Sequence, residues 1–171
     1  MSTILVIDDK KDNLVTMKAL LKNLIPGCVI LTAQSGEEGL ALTLAEKPDT
    51  IILDVKMPGM DGYQVCKALK SDPETGNIPV IFLTAIKTDT ASKVEGLKIG
   101  ADAFLTKPVD PAELEAQINA MLRIKHAEDI LRKEKNMLQN RYQSLFHSIS
   151  DAVFIHDDDG IILEVNSSAS D

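Results

Sequence analysis

Acidic side chains that could bind a cation follow two short apolar runs of the chain. Asp8 and Asp9 come directly after Ile4–Ile7, and Asp54 comes directly after Ile51–Leu53. Carboxylates brought into one pocket repel each other and raise each other's pKa unless a cation neutralises them. A carboxylate-rich site that leaves room for water and phosphate oxygens suits Mg²⁺. The three aspartates therefore predict a magnesium site, provided that the fold brings them together.

A hydroxyl and an ammonium group occupy equivalent positions further along the chain. Thr84 closes the apolar run Val80–Leu83, and Lys107 follows Ala103–Leu105. Donors and cations of this kind can meet the charge on the oxygens of a transferring phosphoryl group. An aspartate can itself be the nucleophile and become an aspartyl phosphate. The alternative is that the aspartates only cap strand ends and that Thr84 and Lys107 are surface residues. The occurrence of all five at strand ends favours phosphoryl transfer.

Five strands and intervening helices must position these residues. The four runs above and Val29–Ala33 are short, aliphatic and bounded by polar residues, which predicts strands. Helical spacing appears between them, in Leu14, Met17, Leu21 and Leu24; in Leu40, Ala41, Leu44 and Ala45; in Val65, Cys66 and Leu69; and more weakly in Val94 and Leu97. We expect an α/β domain with a doubly wound, five-stranded parallel sheet of flavodoxin-like order 2-1-3-4-5. In that order the carboxyl ends of strands one and three flank the switch point where ligands bind.

Two helix starts are readable from capping residues. Ser35 precedes a helical stretch with Glu38 three residues later, which fits a capping box. Asp110 and Glu113 repeat that spacing, with Pro111 at the first helical position. The fifth predicted helix then meets no stop signal until near Ser148.

This last helix carries an apolar residue at every seventh position, in the row Ile124, Leu131, Leu138 and Leu145. Such a row is typical of a coiled coil, so we expect a parallel homodimer through residues 121–145. Glu128 and Lys135 at the alternate core positions weaken that coil. The alternative is a single solvated linker helix.

The tail has a different pattern. Residues 153–156 and 161–165 are apolar and flank the polar stretch 157–160, which predicts strand, turn and strand. A lone hairpin is marginal in water, so we expect the interrupted start of a second domain. The predicted division is 1–122, a phosphoacceptor domain; 123–147, a helical coiled-coil linker; and 148–171, a partial domain.

Composition excludes several functions. The formal net charge of -8 and the lack of a basic patch argue against nucleic-acid binding. The sequence has neither an apolar run long enough for a membrane span nor a signal peptide, so we expect a cytoplasmic protein without membrane contact. Cys28 and Cys66 lie far apart and are interpreted as ordinary buried residues.

Four sequence blocks carry a family resemblance: Ile7-Asp8-Asp9, residues 53–62, Leu83-Thr84-Ala85 and residues 105–108. With them, residues 3–122 resemble the receiver domain of bacterial response regulators. The resemblance implies that Asp54 accepts a phosphoryl group from a sensor histidine kinase or a phosphotransfer protein. It also implies that the domain is not an enzyme beyond promoting its own phosphorylation and dephosphorylation.

The same resemblance implies a role for each site residue. Asp9 and Asp54 would ligate Mg²⁺ directly, the Lys56 carbonyl would complete the protein ligands, and Asp8 would act through water. Thr84 and Lys107 would bind the phosphoryl oxygens. Phe104 matches the switch aromatic of the family, and the Lys107–Pro108 bond is typically cis there. Residues 145–166 resemble the opening of a PAS sensory domain.

Other functions remain to be weighed. A hydrolase of the haloacid-dehalogenase type would carry a second Asp two residues after the nucleophile, where this chain has Lys56. A DNA-binding response regulator would need a basic recognition helix, which the sequence lacks. The chain could also be a dimerisation scaffold, or the N-terminal part of a hybrid histidine kinase or a cyclic-dinucleotide enzyme.

Overall fold

The computed structural model describes residues 2–85 and 98–169. The chain divides into two compact units, with the boundary between His126 and Ala127. The first unit contains a five-stranded parallel sheet of order β2-β1-β3-β4-β5, which confirms the predicted fold class. Its strands are β1 (Thr3–Ile7), β2 (Val29–Ala33), β3 (Thr50–Asp54), β4 (Val80–Ala85) and β5 (Ala103–Lys107). Three strands extend further at their carboxyl ends than predicted, because β3 includes Asp54, β4 continues to Ala85 and β5 includes Lys107.

The centre of the sheet is apolar on both faces. All five residues of β3 are buried, and so are the last four of β1. Side chains on a strand alternate between faces, so these strands need helices on both sides. One core contains residues of the first and last helices, Leu14, Met17 and Leu21 with Leu114, Ile118 and Met121. The opposite core contains Val65, Cys66 and Leu69.

The α-helices with defined bounds are α1 (Lys11–Leu24), α2 (Gly36–Glu46), α3 (Gly62–Ser71) and α4 (Pro111–Ser148), and a short 3-10 helix spans Ser167–Ala169. Helix α4 is the long final helix that the sequence predicts. The weaker predicted helix around Val94 and Leu97 lies outside the described residues. Among those described, no helix combines the length and the apolar character that crossing a membrane requires.

The helix starts follow local hydrogen-bond chemistry. The Ser35 hydroxyl accepts from the Glu38 backbone N–H at 3.1 Å, as predicted. The Glu38 carboxylate, however, accepts from the N–H of Gln34 at 2.6 Å rather than from Ser35. A full reciprocal capping box that the sequence analysis missed joins Asp61 and Gln64 at the start of α3. This box fixes where the helix after β3 begins.

Gly62 brings the start of α3 against the end of β3. A Cβ at this position would collide with the Asp54 carbonyl oxygen and lie 2.8 Å from Val55 Cα. Both neighbours are backbone atoms, so neither can move without displacing the strand end. We expect Gly62→Ala to lower the free energy of unfolding by about 2–3 kcal/mol. Gly39→Ala, whose Cβ would meet side-chain atoms of Ile7 rather than backbone as its nearest neighbours, should cost less. Urea denaturation of the two variants measures the difference, and equal losses would contradict the prediction.

The second unit contains the end of α4 and a two-stranded antiparallel hairpin, β6 (Phe154–His156) with β7 (Ile162–Val165). Both strands were predicted, each starting one residue earlier than the structure shows. The Asn166 side chain is fully buried and joins the hairpin to the segment that follows the helix. Its amide donates to the carbonyl oxygens of Ile149 and Asp151, at 3.2 and 2.9 Å, and its oxygen accepts from the N–H of Val153 at 2.9 Å.

Two further contacts join the hairpin and the segment that follows it to helix α4. The Tyr142 hydroxyl donates to Glu164 at 2.9 Å, and the Ser167 N–H donates to His147 Nδ1 at 3.1 Å. The apolar side chains of Phe154, Ile162 and Leu163 remain more than half exposed. The second unit is therefore fixed by polar contacts while much of its apolar surface stays accessible.

Candidate functional site

The acidic residues predicted to bind metal meet at one edge of the sheet. Asp8 follows β1, Asp9 comes next, and Asp54 ends β3, the strand hydrogen-bonded to β1. One carboxylate oxygen from each residue lies within 4.8 Å of the other two. Asp8 and Asp54 are buried, with exposed fractions of 1% and 8%, and Asp9 is half-buried. The parallel pairing of β1 and β3 thus places three anionic oxygens at the predicted switch point.

Lys107 reaches the same place from the end of β5. Its ammonium group lies 2.6 Å from Asp54 Oδ1 and 2.8 Å from Asp8 Oδ2. The lysine side chain is 30% exposed, whereas both of its partners are largely buried. One cation therefore bridges two of the three carboxylates and supplies part of the neutralisation that they require.

Two polar atoms of the site have no partner among the residues that the structure describes. These atoms are Asp9 Oδ1 and Thr84 Oγ1, and both are inaccessible to solvent. Thr84 follows Leu83, which pairs with Asp54 across the β3–β4 ladder. A buried polar atom without a hydrogen bond is costly, and a bound ion, an ordered water or a catalytic role are the common reasons for one. An unpartnered carboxylate oxygen beside two further carboxylates fits a hard divalent cation such as Mg²⁺.

The pKa values of Asp54 and Lys107 reflect this crowding. Burial raises the pKa of Asp54, contact with Lys107 opposes that rise, and the nearby Asp8 and Asp9 add to it. Burial tends to lower the pKa of Lys107, but its hydrogen bonds and charge contacts with Asp54 and Asp8 outweigh this effect and raise it. In the metal-free protein, Lys107 is therefore held cationic while Asp54 is harder to ionise than an ordinary aspartate.

A stability difference that depends on pH follows from the raised pKa of Asp54. Ionisation of a carboxyl whose pKa is raised in the folded state weakens folding as the pH increases. We expect Asp54→Asn to unfold about 2–4 °C above the metal-free wild type at neutral pH, a change of roughly 1 kcal/mol. The advantage should shrink as the pH falls through the raised pKa toward the ordinary value of 3.8. Thermal unfolding followed by circular dichroism tests this, and an advantage that grows toward acid pH would contradict it.

One residue of the site was missed by the sequence analysis. The Asn13 side-chain amide, from the first turn of α1, lies 2.9 Å from both carboxylate oxygens of Asp8. The backbone N–H of Lys10 also donates to Asp8 Oδ1, at 2.9 Å. The sequence contained one weak signal, because asparagine is a poor helix former and Asn13 directly precedes Leu14, the first residue of the predicted helical stripe. Its contact with Asp8 depends on where α1 begins relative to the end of β1, and the sequence pattern did not establish that start.

The remaining predicted site residues are Phe104, which pairs with Phe82 of β4, and Lys56, which follows the end of β3. Phe104 is partly buried on β5, and its ring centroid lies 5.4 Å from that of Phe82. Lys56 lies two residues after Asp54 between the buried Val55 and Met57, with its side chain exposed. The Lys107–Pro108 peptide bond is cis, as the resemblance implied.

The two cysteines show no sign of a chemical role. Cys66 is buried in the core and Cys28 is half-buried, and neither forms a disulfide. Burial raises the pKa of the Cys66 thiol to about 11, which keeps it in the unreactive neutral form. Both residues are explained by packing.

Residues 4–119 match the sequence-family model of the response regulator receiver domain, and residues 140–171 match the family model of a PAS domain. The chain belongs to the response regulator receiver family. It therefore contains the phosphoacceptor domain of two-component signalling. Receiver domains bind Mg²⁺ at an acidic pocket and interact with histidine kinases or phosphotransfer proteins. They are generally non-catalytic signalling modules.

Curated relatives and solved structures agree with this membership. The chain is similar to the response regulator PleD of Caulobacter vibrioides, with 41% identity over 132 residues, 77% of this chain and 28% of PleD. It is 41% identical to the protein PilH of Pseudomonas aeruginosa over 71% of this chain and 98% of PilH. The chemotaxis protein CheY4 of Vibrio cholerae is 30% identical, with a TM-score of 0.65 over 71% of this chain and 98% of that structure. The chain thus spans little more than a quarter of PleD but nearly all of the short relatives.

Proposed function

We propose that this chain is a phosphorylation-dependent switch that accepts a phosphoryl group on Asp54 from a sensor histidine kinase or a phosphotransfer protein. One observation carries the proposal: Lys107 bridges Asp54 and Asp8, while Asp9 Oδ1 and Thr84 Oγ1, at the ends of β1 and β4, are buried without a hydrogen-bond partner among the described residues. This arrangement supplies a nucleophile, a fixed cation, a metal-ligand oxygen and a hydroxyl at one sheet edge. Mg²⁺ would be held by Asp9, Asp54 and the carbonyl of Lys56, with Asp8 acting through water.

The proposed reaction is an in-line displacement at phosphorus. An oxygen of the Asp54 carboxylate forms the new bond to phosphorus while the phosphorus–nitrogen bond of the phosphohistidine donor breaks. The electron pair of that bond stays with the imidazole, which takes up a proton. Bound Mg²⁺ supplies positive charge for the phosphoryl oxygens. Lys107 binds those oxygens as a cation already held in place, so it needs no rearrangement during transfer. The Thr84 hydroxyl binds them once it has moved toward the phosphoryl group.

The proposed response is a shift between two conformations. A phosphoryl group on Asp54 offers the buried Thr84 hydroxyl the partner that it lacks among the described residues. Movement of Thr84 toward that group opens space beside β4, and Phe104 on the neighbouring strand can turn into it. The two strands are in register there, with Thr84 opposite Thr106. Differential contact of the phosphoryl group with the two conformations drives the shift.

The proposed output runs through helix α4. Leu131, Leu138 and Leu145 recur every seven residues and are 65%, 70% and 60% exposed, which leaves their apolar surface available to a second copy of the chain. A parallel homodimer would bury this row. Met121, included in the predicted coil, instead packs in the core of the first unit, so the exposed row begins at Ile124. The proposed division remains receiver domain 1–122, coiled-coil linker 123–147 and PAS-like segment 148–171.

A second role follows from the PAS match at residues 140–171. The receiver domain would act on a sensory or catalytic module of a larger protein, such as a hybrid histidine kinase or a cyclic-dinucleotide enzyme. The exposed apolar side chains of the hairpin support this role, because a complete domain would bury them.

Acetyl phosphate provides the direct test. Wild-type protein incubated with Mg²⁺ and acetyl phosphate should gain the mass of one phosphoryl group, and Asp54→Asn should gain none. Asp12→Asn, an exposed aspartate on α1, is the matched control and should be modified like the wild type. Modification of Asp54→Asn at the wild-type rate, or a wild type that stays unmodified, would overturn the proposal.

A further inference from the structure

The two adjacent aspartates of the site differ in how many donors they already have. Asp8 accepts from the Lys10 N–H and the Asn13 amide at Oδ1, and from Asn13 and Lys107 at Oδ2. A carboxylate offers about four lone-pair sites, so the hydrogen-bonding capacity of Asp8 is close to full. Asp9 Oδ1, by contrast, is buried and unpartnered among the described residues. The two carboxylates therefore differ: that of Asp8 is held by donors on both oxygens, and that of Asp9 has an oxygen available to a ligand.

Asn13 is the side chain that creates this difference within α1. It projects from the first turn of the helix, is half-buried, and lies 2.9 Å from each oxygen of Asp8. Contact with both oxygens fixes the rotation of the carboxylate plane as well as its position. The helix start reinforces this geometry, because Lys10 at the N-cap position has no capping side-chain bond of its own and its N–H is bound by Asp8 instead.

We infer that Asn13 is a positioning residue for the cation site: it orients the Asp8 carboxylate so that this group holds Lys107 and a metal-bound water, and leaves direct coordination to Asp9 and Asp54. This inference rests on the proposed function. Outer partners that orient ligand groups commonly change metal affinity 10–100-fold when they are removed. Asparagine suits the role because its amide donates without adding a fourth negative charge to the pocket.

The test compares Asn13→Ala with Asn23→Ala. Both substitutions place alanine, a better helix former, in α1, but Asn23 is exposed in the last turn of the helix. Isothermal titration calorimetry with Mg²⁺ should show a roughly tenfold larger dissociation constant for Asn13→Ala and no change for Asn23→Ala. Thermal unfolding in the absence of metal reports stability separately, so a loss of fold cannot be mistaken for a loss of the site.

The outcomes separate this inference from the proposed function. A wild type that binds Mg²⁺ and is phosphorylated, with Asn13→Ala matching its affinity within twofold or exceeding it, overturns the role of Asn13 alone. A metal-free Asn13→Ala protein that unfolds at lower temperature but binds Mg²⁺ normally would show a purely structural role, which also overturns it. Failure of wild-type phosphorylation with the tenfold affinity difference intact would overturn the proposed function and leave the positioning role standing.

Discussion

Replacement of Lys107 by methionine is expected to slow phosphorylation of Asp54 by acetyl phosphate at least roughly 100-fold, as is common when one preorganised donor to a transferring group is removed. The methionine side chain keeps much of the volume of lysine but loses the charge that contacts Asp54 at 2.6 Å and Asp8 at 2.8 Å. Phosphoryl oxygens would then lack the cation that the protein itself supplies. The rate is measured by intact-mass spectrometry at saturating Mg²⁺.

Mg²⁺ binding by the Lys107→Met variant should become tighter, although its phosphorylation becomes slower. Lys107 neutralises part of the charge of Asp8 and Asp54 in the metal-free protein, so its removal leaves the pocket more anionic and should tighten Mg²⁺ binding. A merely misfolded variant would lose both properties. Lys67→Met, on the exposed face of α3, is the matched control and should leave both unchanged. A Lys107→Met protein that is phosphorylated within threefold of the wild-type rate would remove Lys107 from the proposed mechanism.

The proposed dimer should dissociate when two leucines of the seven-residue row become charged. Leu131 and Leu138 are 65% and 70% exposed in the single chain, so Leu131→Lys with Leu138→Lys should not disturb its folding. In a coiled coil each buried leucine contributes about 1.5–3 kcal/mol, so the dissociation constant should increase at least 100-fold. Analytical ultracentrifugation over a range of concentrations measures this change.

Met137 provides the control for the dimer test. It is 71% exposed on the same helix but outside the seven-residue row, so Met137→Lys removes comparable apolar surface without touching the seam. This variant should dimerise like the wild type.

The reverse change, Glu128→Leu with Lys135→Leu, should strengthen the dimer, because like charges would face each other at those positions in a parallel coil. A monomeric wild type at high micromolar concentration would exclude the dimer.

The fold was predictable because its central strands are apolar on both faces. Such runs, separated by amphipathic stretches, allow few arrangements besides a parallel sheet covered by helices. The strand ends were less accessible to prediction. Asp54 and Lys107 are polar and were placed after their strands, yet backbone pairing with the adjacent strand continues through both. Hydrogen bonding of the main chain, which composition does not report, decides where a strand ends.

The convergence of Asp8, Asp9, Asp54 and Lys107 followed from topology, because carboxyl ends of parallel strands share one edge. Asn13 could not be found this way, since its contact depends on where α1 begins after β1, and the sequence offered no clear start signal for that helix. Met121 was misplaced for a different reason. It lies seven residues before Glu128, at an alternate core position of the predicted coil, but its side chain packs in the core of the first unit.

The side chain of Asn166 holds the junction after helix α4 through several hydrogen bonds. Its three side-chain hydrogen bonds, together with the contacts of Tyr142 and His147, act over short distances and in fixed directions. A hinge made of glycines or of loose apolar contacts would yield gradually under torque. We expect this junction to resist bending, because bending the chain between Ile149 and Val153 requires several of these bonds to break at once.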